Sequence, residues 1–206
     1  MVMRIPWRPS VVSCLALAAA AGVTAACSGL RNEARYGSAS PRVVDPNQPI
    51  PKGGGSYKLG APYQIDGRWY VPQEEPAYDR TGLASYYAED FHGRRTSNGE
   101  IFDMWALSAA HPTLPLPSLA YVTNLENGRT LLLRINDRGP YANNREIDLS
   151  RAAARYLGFE ARGLARVRVR YAGPAPLSGD DRREQRFLAS QSWFQVALAR
   201  APSAGR

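Results

Sequence analysis

Nine carboxyl-bearing residues fall between positions 81 and 173: Glu89, Asp90, Glu100, Asp103, Glu126, Asp137, Glu146, Asp148 and Glu160. Two of them sit where the chain can hold a carboxyl group rigidly. Asp137 follows the strand-like run Leu131-Leu-Leu-Arg-Ile135 and precedes the turn Arg138-Gly-Pro-Tyr141. Glu100 directly follows Asn98-Gly99, a strong turn signal that places it on a loop or at the start of a strand. Two carboxyl groups kept in different environments can protonate a leaving oxygen and relieve positive charge on an oxocarbenium-like sugar, the two needs of glycosidic-bond cleavage. The residues alone leave other readings open. Asp137 can be a turn carboxylate paired with Arg138, Glu100 a solvated turn residue, and His111, between Ala110 and Pro112, a satisfied interior histidine. Tyr86, Tyr87, Phe91 and Tyr141 offer flat faces for stacking on sugar rings, or for packing.

The elements around these residues read as mostly β from Thr81 to about Gly173. Gly82–Tyr87, Trp105–Ala110, Ala120–Thr123 and Thr130–Ile135 are expected strands. Arg166-Val-Arg-Val-Arg-Tyr171 alternates strictly, so Val167, Val169 and Tyr171 face one side and the arginines the other. One helix interrupts, Arg151–Leu157, with Ser150 able to cap it and Gly158 to close it. Upstream, Tyr63–Val71 alternates about Asp66-Gly67, a two-residue hairpin signal, and forms an arm over residues 57–80. Residues 174–206 read as a linker and a short, partly amphipathic helix between Asp180 and Arg200. Frequent turns and dominant strands favour a small barrel over residues 81–173.

Composition narrows the chemistry. The 206 residues are 44% apolar and 21% charged, ordinary for a folded domain with appendages. Cys14, Cys27, His92 and His111 are too scattered for a zinc ribbon or a disulfide framework. No phosphate-binding glycine loop occurs, and no metal or cofactor is expected. Net charge is +8, carried by 24 Arg and only 2 Lys. Arg4 and Arg8 precede an uncharged run, Val11–Val23, which is shorter than the roughly 20 residues of a membrane span. It ends in Val23-Thr-Ala-Ala-Cys27-Ser28, which resembles a bacterial lipobox, with Thr24 where Leu or Val is usual. Residues 1–26 are therefore expected to be a lipoprotein signal peptide, Cys27 the lipidated residue, and 27–56, rich in Ser, Pro, Asn and Gly, a flexible tether. With Ser28 where Asp commonly marks inner-membrane retention, the lipobox resemblance implies the periplasmic face of the outer membrane. The positive charge reads either as a solvated Arg-rich surface or as attraction to anionic envelope polymers or lipid headgroups, since an exported protein does not meet nucleic acid.

Three motifs taken together are specific: Gly99-Glu-Ile-Phe-Asp103, Ala109-Ala-His-Pro-Thr-Leu-Pro115 and Asn136-Asp-Arg-Gly-Pro-Tyr141. They resemble the rare lipoprotein A family of septal-ring lytic transglycosylases, over Gly82–Tyr171. The resemblance implies a six-stranded double-psi β-barrel with one or two short helices. It implies cleavage of the MurNAc–GlcNAc bond of peptide-stripped peptidoglycan by attack of the MurNAc 6-hydroxyl on its own C1, leaving a 1,6-anhydro end. The family's catalytic positions fall on Glu100, His111 and Asp137; Tyr87, Asn98, Arg138 and Tyr141 are expected to contact substrate. Asp137 is assigned as the acid and Glu100 as charge stabiliser, with exchange of the two roles left open. Replacing either by its amide is expected to remove turnover and leave the fold intact. A non-catalytic glycan-binding or division-scaffold lipoprotein on the same barrel is the competing reading. Cell-division or envelope proteins are the expected protein partners. Many relatives end in a glycan-binding repeat domain, for which the 33 residues after Gly173 are too few.

Overall fold

Alternation of apolar and polar residues closes six strands into a barrel. A computed structural model describes residues 40–142 and 144–200, so the expected signal peptide, Cys27 and the first part of the expected tether lie outside the described residues. The strands in chain order are β1 (Tyr63–Ile65), β2 (Arg68–Tyr70), β3 (Asp79–Tyr87), β4 (Ser108–Ala110), β5 (Ser118–Asn124), β6 (Thr130–Asp137), β7 (Arg145–Ser150) and β8 (Ala165–Pro174). Strands β3-β7-β4-β6-β5-β8 form the closed barrel in that order. The β3–β7 and β4–β6 pairs are parallel and the other barrel pairs antiparallel. Each parallel pair demands a crossover, so the two pairs interlock the halves of the chain.

Leu131, Leu133 and Ile135 point inward from β6, and Val167 and Val169 from β8, all fully buried with Val122, Ile147 and Leu149. Each such side chain contributes roughly 1.5–3 kcal/mol by leaving water. Arg166, Arg168 and Arg170 stay exposed on the outer face, as the alternation requires. Tyr171 packs against the core on the apolar side.

Helix α1 (Arg151–Leu157) begins as expected: Ser150 Oγ accepts from Ala153 N at 3.2 Å, and Gly158 closes the helix at φ 79°. Its Ala152, Ala153 and Ala154 are buried, their small side chains letting the helix sit close to the barrel. A 3-10 turn, Glu160–Arg162, follows. The β1–β2 hairpin turns at Asp66 (φ 49°) and Gly67 (φ 79°), the double left-handed geometry of a tight hairpin. In place of one C-terminal helix there are two, α2 (Arg182–Ser190) and α3 (Ser192–Arg200), separated at Gln191 in extended conformation. Phe187 of α2 packs on Tyr121 of β5 over Leu119, Leu132 and Ala175, a second small core on the outer face of the barrel.

Residues 40–56, which composition groups with the tether, follow the barrel surface. Val43 and Val44 donate to Gly93 O, Ser56 N donates to Asn98 O, and Lys52 pairs with Asp181 at 2.8 Å. Gly55 has a packing reason: a Cβ there would come within 2.8 Å of Glu100 Cγ and 2.9 Å of Asn98.

Candidate active site

A bulge in β6 aims the Asp137 side chain. Ala109 of β4 pairs with Ile135, but Ala110 pairs with Asp137, so Asn136 is the extra residue. Ile135 is on the interior side, and continued alternation would send Asp137 inward as well. The bulge instead turns Asp137 to the outer face, beside Ala110, a common use of such irregularities.

There Asp137 is half-buried. Its Oδ1 accepts from Ser97 N (2.8 Å), Ser97 Oγ (2.6 Å) and Arg138 N (2.8 Å). Among the described residues no hydrogen bond reaches Oδ2. Burial pushes the carboxyl above its usual value and outweighs the bonds from Ser97 and Arg138 that pull it down. One oxygen anchored, one free and a raised proton affinity are the attributes of a proton donor.

Glu100 has the opposite character. It is 4% exposed, and four hydrogen bonds saturate its carboxylate. Arg134 grips it with Nε on Oε2 (2.9 Å) and Nη2 on Oε1 (2.5 Å), Asn136 Nδ2 donates to Oε2 (2.9 Å) and Asn98 Nδ2 to Oε1 (3.0 Å). Burial opposes ionisation, but the Arg134, Asn136 and Asn98 contacts together hold the group below its usual value. Thr96–Glu100 is a tight turn, with Gly99 at φ 95° and Gly99 N donating to Thr96 O. Ser97 of that turn reaches Asp137 while Asn98 reaches Glu100, so one turn ties both carboxyl groups together.

His111 is buried and touches neither carboxyl group. Its Nδ1 accepts from Thr113 N (3.2 Å) and Leu114 N (3.1 Å), which fixes the neutral ring with its proton on Nε2. Nε2 lies 2.8 Å from Tyr78 Oη, which in turn donates to Glu146. Glu146 Oε1 is 3.7 Å from Nε2, beyond hydrogen-bond distance, so Tyr78 is the direct link. Burial lowers the imidazole's proton affinity, keeping it neutral. Its main chain ties down the end of β6: His111 N donates to the main-chain oxygen of Asp137 at 3.0 Å.

The four expected substrate contacts are placed variously. Asn98 spends its amide on Glu100, Thr96 and the turn. Arg138 donates to the main-chain oxygens of His111, Leu114 and Leu59, stapling the loop after β4 to the segment before β1. Tyr141 packs edge-on against Tyr63 and Tyr70 of the hairpin. Tyr87 stacks on Phe102 with centroids 4.1 Å apart and meets Phe91 edge-on; its buried hydroxyl has no partner among the described residues.

The sequence did not single out Arg134, Asn136, Ser97 or Tyr78, and Glu146, one of the nine carboxyl residues, received no role. Arg134 and Asn136 did leave a signal, two polar residues at strand spacing beside a run of leucines. Tyr78 and Glu146 left none, being 33 and 35 positions from His111 in the chain. Among the described residues no group of three or more His, Cys, Asp or Glu side chains could hold a metal ion.

The barrel's limits are those of a known family. Residues 79–169 match the family described as lytic transglycolase. The endolytic peptidoglycan transglycosylase RlpA of Pseudomonas aeruginosa (strain UCBPP-PA14) is 43% identical over 157 residues, which cover 76% of this chain and 45% of that protein. RlpA of Rickettsia bellii is 45% identical over 130 residues, covering 62% and 56%. RlpA of Neisseria meningitidis serogroup B is 50% identical over 108 residues, covering 52% and 45%. The chain thus spans about half the length of the curated relatives it matches. Among solved structures, the Streptomyces papain inhibitor aligns with TM-score 0.40 at 23% identity, over 48% of this chain and 99% of its own. Apo expansin of Clavibacter michiganensis aligns with TM-score 0.38 at 16% identity, over 48% and 53%.

Proposed function

The barrel of this chain belongs to the RlpA family of lytic transglycosylases, and from that premise we propose that the protein cleaves the MurNAc–GlcNAc bond of peptide-stripped peptidoglycan without water. The observation that carries the reading is the pair of contrasted carboxyl groups tied by one turn. Asp137, with raised proton affinity and a free Oδ2, is the acid that protonates the glycosidic oxygen. Glu100 stays ionised. Arg134 already balances its charge, so its main task is to hold the Thr96–Glu100 turn that presents Ser97 to Asp137. The contrast between the two carboxyl groups supports this allocation over the exchanged one. His111 is a positioning residue: it shapes the 111–114 loop through Nδ1 and fixes Asp137 through its main chain.

Cys27 is the proposed lipid anchor, on the lipobox resemblance, and places the enzyme at the periplasmic face of the outer membrane, where division or envelope proteins are its proposed partners. Tyr87, Asn98, Arg138 and Tyr141 then serve the site mainly by shaping it, since each is committed to protein contacts.

The test is mass spectrometry of products from the purified protein and amidase-stripped glycan strands. Anhydro-ended fragments support the transglycosylase. Reducing ends assign a hydrolase of the same bond. Binding without fragments assigns a glycan-binding scaffold.

A further inference from the structure

Register places a second carboxyl group across the same small residue. Ala110 of β4 lies between two partners, Asp137 on β6 and Asp148 on β7. Residues laterally paired in a sheet share a face, so Asp137, Ala110 and Asp148 form one row on the outer surface of the barrel. Ile147 and Leu149 on either side of Asp148 point into the core, which confirms its outward direction. Adjacent strands are about 4.8 Å apart, so the two aspartates stand about 10 Å apart at their main chains, with only a methyl group between. Oδ1 of Asp137 is held by Ser97 and Oδ1 of Asp148 by Ser85 of β3, and the main-chain spacing is close to the upper end of the roughly 6.5–9.5 Å range of carboxyl pairs that flank a glycosidic bond.

The surroundings of Asp148 are built. Ser85 Oγ donates to Oδ1, and Arg145 Nη2 lies 3.5 Å from Oδ2 while its Nη1 donates to Ser85 Oγ at 2.8 Å. The side chain is 17% exposed. Tyr87, whose buried hydroxyl has no partner among the described residues, is close enough to Asp137 and Asp148 for both charges to bear on it. Glu100, in contrast, is sealed by four hydrogen bonds and by Gly55, leaving no free oxygen for a reacting hydroxyl.

We propose that Asp148 is the catalytic base of this site, working opposite Asp137 across Ala110. The assignment rests on the transglycosylase reading and deepens it. The step balances as an intramolecular displacement. Asp148 takes the proton from the MurNAc 6-hydroxyl as O6 bonds to C1. The bond from C1 to the GlcNAc O4 breaks, and Asp137 gives its proton to that O4. Transfer of the proton from Asp148 back to Asp137 through solvent restores the starting state. No water is consumed.

The experiment compares the whole protein with Asp148→Asn and Asp148→Ala on stripped glycan, counting anhydro ends. Asp148→Asn is expected to lower kcat at least 100-fold with KM within about 3-fold, while circular dichroism and melting stay close to wild type. Sodium formate, a small carboxylate that fits the vacated space, is expected to restore anhydro formation in Asp148→Ala at least 5-fold and to leave Asp137→Asn inactive. Formate rescue also serves if Asp148→Asn folds poorly, because a merely structural role gives no such recovery of kcat. An Asp148→Asn enzyme with more than half of wild-type kcat overturns the assignment alone, and so does a folded Asp148→Ala that formate does not rescue. A wild type that yields no anhydro ends removes the transglycosylase reading and this assignment with it.

Discussion

Replacing Glu100 by glutamine is expected to weaken the fold as well as the activity, contrary to what the sequence suggests. Glu100 Oε1 receives Arg134 Nη2 and Asn98 Nδ2, and Oε2 receives Arg134 Nε and Asn136 Nδ2. In either orientation the glutamine NH2 faces two donors, and Arg134, 7% exposed, loses its counter-charge. Breaking a buried pair from one side costs about 3–5 kcal/mol. Arg134→Met leaves Glu100 buried with only the two asparagine amides and costs a similar ~3–5 kcal/mol. In Glu100→Gln/Arg134→Met no charge is stranded, and the three amides of positions 98, 100 and 136 can pair among themselves. The Arg134 bond to Pro176 O is lost in both arginine variants and cancels in the cycle. The double variant is therefore expected to lose about 2–4 kcal/mol, well short of the summed single losses, giving a coupling of at least about 2 kcal/mol. Urea unfolding of the four proteins at pH 7 measures this. A double-variant loss equal to the sum of the singles within about 0.5 kcal/mol would refute the ion pair as a buried, interdependent unit.

Two further outcomes follow from the same contacts. His111→Ala strands Thr113 N and Leu114 N and should cost about 1–3 kcal/mol per orphaned group, seen as a lower melting temperature, whereas His111→Asn, whose side-chain oxygen can accept from these amides, should recover part of it. Ser97→Ala removes a hydrogen bond that favours ionised Asp137, so the carboxyl's proton affinity rises further above its usual value. An acid must be protonated to work, so activity is present below the pKa of Asp137 and lost as pH rises through it. The high-pH limb of the kcat profile should therefore move to higher pH in Ser97→Ala; a limb that stays or moves down contradicts Asp137 as the acid.

Local signals explain which parts were legible in the sequence. Strict alternation at 166–171, the Asp66-Gly67 turn and the Ser150 cap each act within a few residues, and the structure follows all three. Strand β7 was missed because Arg145-Glu-Ile-Asp-Leu-Ser150 has only two apolar residues and runs into a helix signal. The expected strand at Trp105 begins only at Ser108, since Met104 and Trp105 form a turn closed by Ala106 N on Asp103 O and the chain bends through Leu107. At the site, Asp137 and Glu100 were legible because a strand end and a turn mark them. Their contrast was not, because it depends on Arg134, 34 positions from Glu100, and Ser97, 40 positions from Asp137. The bulge that turns Asp137 toward Ala110 and Asp148 arises from pairing between strands far apart in sequence, which no local pattern encodes.

The most direct measurement is anhydro-end formation by Asp137→Asn beside wild type on stripped glycan, with melting of both proteins. The asparagine Oδ1 can keep the acceptor bonds from Ser97 and Arg138, so melting should change by no more than about 2–4 °C, the equivalent of ~1 kcal/mol. Losing the proton donor should lower kcat by about 100- to 10,000-fold. A folded Asp137→Asn protein that releases anhydro ends at the wild-type rate would contradict the account at its centre.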